Sequence, residues 1–175
     1  MKKLSLFYLL VLGLTQISCS EIGSEIEKEA NHITIDNKKN ELSEFISPNE
    51  EFMGIHGYEI ESWVYSKSII FDEKKCDFLG EGYGASLFFN SSAPNSIDPG
   101  IYKIVDSSIN NPKKNEAGGE LDFFSKSINN EETLISGSIE VTKNSSEYTI
   151  KLDATTEKSK KVKLYYKGSL KLLNC

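Results

Sequence analysis

From Lys161 to Leu172 the chain alternates apolar and polar residues. Val162, Leu164, Tyr166, Gly168, Leu170 and Leu172 fall on one side, and Lys161, Lys163, Tyr165, Lys167, Ser169 and Lys171 on the other. Side chains repeat every two residues only on a strand, so this segment is expected to be a half-buried antiparallel strand with one apolar and one solvated face. The same period runs backwards through the chain. Tyr148, Ile150 and Leu152 point inward against Glu147, Thr149, Lys151 and Asp153. Gly137, Ile139 and Val141 precede them, as do Leu121 and Phe123 in 119–126, and Tyr102 and Ile104 mark a shorter strand. Segments 57–71 and 82–90, with Trp63, Val64, Ile69, Ile70, Phe71, Leu87, Phe88 and Phe89, supply further β-rich material. Turn chemistry separates the segments at Asp98-Pro99-Gly100, Gly118-Gly119, Asn129-Asn130 and Asn144-Ser145. The pattern predicts an all-β domain over 51–175: an antiparallel sandwich or partly closed barrel of about 7–9 short strands, ending in a meander.

The N-terminus reads differently. Lys2 and Lys3 precede an apolar run from Leu4 to Leu14, followed by Thr15-Gln16-Ile17-Ser18-Cys19. A charged start, a short hydrophobic core and a small residue before a cut make a secretory signal over 1–18. The run is shorter than the roughly 20 residues of a spanning helix. Residues 19–50 begin with Glu21, Glu25, Glu27 and Glu29 and continue with Asn, Lys and Ser. This composition predicts a flexible acidic tether, with at most a helical turn around Glu41–Ile46 ended by Pro48.

Charge narrows the partners. The formal net charge is −6, and becomes −8 once Lys2 and Lys3 leave with the signal. All 20 basic residues are lysine. Without arginine the chain lacks the usual residue for bidentate phosphate and base recognition, which together with the acidic balance excludes nucleic acid from the expected partners. Cys76 and Cys175 remain once Cys19 is set aside, and in an oxidising compartment such a pair can bond across about one hundred residues. No metal, cofactor or catalytic residue is expected. His32 and His56 are the only histidines, no serine sits in Gly-x-Ser-x-Gly, and Asp72, Glu73 and Asp77 around Cys76 do not follow EF-hand spacing.

Two surfaces are candidates for binding. Lys163, Tyr165 and Lys167 form a basic stripe that would suit an acidic polymer or lipid headgroups. The alternative is a solvated face, in which the turn at 155–160 sets Asp153 opposite Lys161 or Lys163. Trp63 and Tyr65 share a face with Glu59 and Glu61, which would make an exposed aromatic surface. The alternative there is core packing.

Ile17-Ser18-Cys19 resembles the lipobox of bacterial lipoproteins, although Gln16 stands where that pattern usually has leucine. The resemblance implies a lipidated Cys19 as the first mature residue. Pro99-Gly100-Ile101-Tyr102, Ser136-Gly137-Ser138-Ile139-Glu140-Val141, Tyr148-Thr149-Ile150 and Tyr166-Lys167-Gly168-Ser169-Leu170 are similar to strand and turn patterns of small β-rich lipoproteins of Gram-negative bacteria. That resemblance implies an outer-membrane lipid anchor, facing the periplasm or the surface, and a binding or assembly role without catalysis toward an envelope protein or glycan. Two alternatives stay open: a lipocalin-like carrier of a small apolar ligand, and a hydrolase of envelope glycans.

Overall fold

A computed structural model of the chain describes residues 29–109, 111–125 and 130–174. They form twelve strands and no helix: β1 (His32–Ile35), β2 (Lys38–Pro48), β3 (Phe52–Gly54), β4 (Gly57–Ser66), β5 (Ile69–Asp72), β6 (Asp77–Gly80), β7 (Gly82–Ser91), β8 (Gly100–Ile104), β9 (Glu116–Phe124), β10 (Asn130–Asn144), β11 (Glu147–Thr156) and β12 (Lys161–Leu173). The fold is all-β, with more strands than the periodicity resolved. Signal residues 1–18 and Cys19 lie outside the described residues.

The main sheet returns on itself. Its ladder runs β2–β12–β11–β10–β9–β7–β4, and β4 pairs back onto β2 through Leu42↔Ser66, Phe45↔Val64 and Ile46↔Trp63. β1 is wedged between β12 and β2, and β8 between β10 and β9. Most pairings are antiparallel, but β2–β12 and β8–β9 are parallel. The β10–β11–β12 meander is present as the alternation predicts.

Each stave sends a side chain inward: Ile33, Phe45, Val64, Leu87, Leu121, Ile139, Ile150 and Leu164 are all buried in one cluster. A barrel of about eight strands has an interior just wide enough for its own side chains. Here Phe45, Tyr148 and Tyr166 fill the middle, with Phe45 5.4 Å from Tyr166 and 6.5 Å from Tyr148 between ring centroids.

The tether reading of 19–50 is corrected over residues 32–48, which are β1 and β2. The apolar positions Ile33, Ile35, Leu42, Phe45 and Ile46 are buried in the barrel or beneath its covering hairpin. Asp36 and Asn37, at φ 45° and 69°, make the tight turn that joins the two strands. The intervening charges lie outside, where Glu41 meets Lys67 at 2.7 Å. The stretch proposed as a helical turn, Glu41–Ile46, is β2 backbone.

Gly118 and Gly119 are also corrected: they lie inside β9 and do not separate strands. A Cβ at Gly118 would come within 2.5 Å of Ser107, and one at Gly119 within 2.7 Å of the Ser86 carbonyl, so these glycines admit close neighbours. At the end of β12, Leu172 is 40% exposed and Leu173 is buried. The outer face is covered there by a hairpin of β5 and β6, which folds over the wall and makes a second cluster with Ile46, Trp63, Tyr65, Phe124 and Leu173.

Candidate functional site

The lysine stripe is a ladder of compensated charges. Lys163 lies 3.2 Å from Asp153, Lys167 3.2 Å from Glu147, and Lys151 3.7 Å from Glu140. Tyr165 stacks on His32 with centroids 6.1 Å apart. Asp153 faces Lys163 across β11–β12, one of the two arrangements the connecting turn allowed. Such exposed pairs contribute about 0–1 kcal/mol. Lys163→Ala should therefore change unfolding free energy by less than about 1 kcal/mol in urea titration, and a larger loss would show the row to be structural.

The Trp63–Tyr65 reading is half corrected. Both point outward as the alternation requires, but the β5–β6 hairpin covers them, and Tyr65 is only 3% exposed. Its hydroxyl donates to Glu44 at 3.2 Å. Phe78 of β6 packs edge-on against Trp63 and Tyr65, at 6.0 and 5.3 Å. His56 is exposed at the β3–β4 turn.

Next to the hairpin the same wall carries a different constellation. Strand register sets Glu61 opposite Phe88 and Phe88 opposite Gly118. The next row is Trp63, Ser86 and Glu120, and Asp122 faces Glu131 across β9–β10. Beside these rows lies a groove of about 450 Å³, lined by Glu50, Phe52, Glu59, Glu61, Phe88 and Glu120 among others. The loop after β8 closes its far side. The Asn90 amide donates to the Pro112 carbonyl and pins that loop, and Gly118 lets Ser107 approach the wall. Phe52, at the groove lip, is 62% exposed.

The electrostatics of this wall differ from the rest of the surface. Among the described residues, Glu50, Glu59, Glu61, Glu120 and Asp122 form no ion pair, whereas Glu41, Glu44, Glu73, Glu132, Glu140, Glu147 and Asp153 each meet a lysine. Burial raises the pKa of Glu61; Trp63 beside it opposes that, and the charges of Glu120 and Glu50 reinforce it. Burial also raises Glu120, with Glu131 and Glu157 adding repulsion. Asp122, 7% exposed, is pushed up to about 7, mainly by burial. The Ser86 hydroxyl, donating at 2.7 Å, works against this, and the charges of Glu120, Glu131 and Glu61 work with it. One carboxylate oxygen each from Glu120, Asp122 and Glu131 lies within 4.8 Å of the others, so these are the residues that could hold a cation.

Glu132 shows the contrast. It is as buried as Asp122, but accepts hydrogen bonds from Lys160 at 2.6 Å and Thr156 at 3.0 Å. Burial alone would raise its pKa, but these bonds outweigh burial and lower it. Of these two buried acids, Glu132 is met by lysines and Asp122 is not.

Glu59 and Glu61 already stood out in the sequence for sharing the Trp63 face, but Glu120, Asp122 and Glu131 did not. The only local signal is that outward positions of separate strands are acidic, and which strands adjoin is a property of the register. Comparison with protein-family models, curated proteins and solved structures finds no match to this chain.

Proposed function

We propose that this protein is a lipid-anchored, non-enzymatic binding module of the bacterial cell envelope, and that it binds a cationic ligand in the groove outside its barrel. One observation carries the choice of site. The barrel interior is filled by its own side chains, so the main concavity described is on the wall, where carboxylates without lysine partners flank exposed aromatic surface. A filled interior favours the groove over a carrier, which would need a lumen. An ammonium or guanidinium group would relieve the repulsion of Glu61 by Glu120 and Glu50, and Phe52 and Phe88 would hold its apolar stem.

Two measurements test the reading. Metabolic labelling with a fatty-acid analogue should tag the protein, and Cys19→Ala should abolish the label; undiminished labelling of that variant refutes the anchor. Titration of the purified domain with a short lysine-rich peptide should give saturable NMR shifts at Phe52, Glu61, Phe88 and Glu120. Glu61→Gln with Glu120→Gln should weaken binding by roughly tenfold or more, as expected for loss of charge-assisted contacts. Shifts confined to other faces would rule out the groove.

The proximity of Glu120, Asp122 and Glu131 supports a second reading, a glycan hydrolase, because paired carboxylates of which one stays protonated near neutrality can act as acid and base. Asp122 is buried on the outer face of the wall and does not line the groove, which favours binding over this reading. Release of reducing ends from envelope glycans, lost in Glu120→Gln, would reverse the preference.

A further inference from the structure

We propose that the β5–β6 hairpin is a flap clasped in place by a Cys76–Cys175 disulfide, and that reducing this bond bares the aromatic face beneath it. The inference stands apart from the groove and does not depend on it. β5 and β6 hydrogen-bond only to each other, through four residue pairs, and join no other strand among the described residues. An isolated two-stranded hairpin of this length is marginal in water, so side chains must hold it to the wall. Phe78 is the central contact, with ring centroids 5.0 Å from Phe71, 5.1 Å from Phe124 and 5.3 Å from Tyr65. The polar ties are exposed: Lys171 meets Glu73 of the hairpin turn at 2.6 Å and Glu44 of β2 at 3.6 Å. Surface pairs of this kind hold a mobile element weakly.

The end of β12 lies beside that turn. Lys171 reaches Glu73, the Leu173 side chain inserts into the hairpin cluster, and Asn174 is fixed by a 2.8 Å bond from Asn49. Cys76 is exposed in the turn, at φ 51°. Cys175 lies outside the described residues, and the sequence places it one residue past Asn174. A bond between these sulfurs ties the free end of the flap to the last strand of the barrel. It forms by exchange with the disulfide of an envelope oxidoreductase: the two thiols give up two protons and two electrons, and the oxidoreductase leaves as a dithiol. A dithiol reductant reverses the same step.

Trp63, the only tryptophan, reports on the flap because Phe78 packs on it. Purified exported protein, digested without reduction, should yield a linked Cys76–Cys175 peptide. Dithiothreitol should then red-shift Trp63 emission and speed amide exchange across Ile69–Gly80 at least tenfold, leaving β10–β12 unchanged. The double variant Cys76→Ser, Cys175→Ser should behave as the reduced protein, and Phe78→Ala, which loosens the flap without touching a cysteine, confirms that the signal reads flap release. Alkylation of both thiols in the exported protein overturns the clasp. A linked peptide whose reduction leaves Trp63 emission and hairpin exchange unchanged overturns the flap.

Discussion

Truncating Phe45 to alanine should cost about 3–5 kcal/mol of folding stability, the usual loss when a large buried aromatic is removed. Phe45 is 1% exposed and lies between the rings of Tyr148 and Tyr166, where three staves of the barrel meet. It belongs to β2, which closes the ring by pairing with β4 on one side and β12 on the other. The experiment therefore separates two structures of the N-terminal region. In a tether this substitution would leave unfolding unchanged; in a stave it shifts the urea midpoint strongly. An unaltered midpoint would mean that the ring does not close through β2.

Asp122→Asn should stabilise the protein at pH 8, with the gain fading toward pH 4. The folded-state pKa of Asp122 is about 7, against about 3.9 for an unperturbed aspartate. Between these values the folded chain holds a proton that the unfolded chain has lost. Stability from this group is thus complete below about pH 4 and is lost as pH rises through 7, on the order of 4 kcal/mol in all. Asparagine keeps an oxygen to accept the Ser86 hydroxyl bond and never carries the buried charge. Urea unfolding of both proteins at pH 4.5 and pH 8 checks the sign. A variant equally shifted at both pH values would show that Asp122 titrates as an ordinary carboxylate. Bound at the groove, the cationic ligand proposed above should shrink the difference, because it offsets the same charge cluster.

How much of this could be read from the residues depended on how local the cause was. The β10–β12 meander was legible because each alternation is continuous and the connections are short. Asp153 facing Lys163 followed from one turn. β1 and β2 were masked by Lys38, Lys39, Glu41 and Glu44, and the partner that orders β2, the end of β12, lies more than one hundred residues away. The alternation put Trp63 and Tyr65 on the correct face, but the hairpin that covers them is held by side chains and leaves no periodic mark on β4. The groove acids were the least legible. Glu61 and Glu120 become neighbours only because β7 lies between their strands and sets the register of both.

The parallel pairing of β2 with β12 has a kinetic consequence. The contact joins Phe45 to Leu170, so this edge of β2 waits for a strand more than one hundred residues later in the chain. Proteins dominated by such distant pairings fold slowly, because the entropy of closing the chain is lost before the contact rewards it. During synthesis β2 therefore presents Phe45, Ile46 and an open row of amides to whatever is nearby. The sequence separation of this one pairing, and not the strength of the finished barrel, is therefore where misassembly would compete with folding.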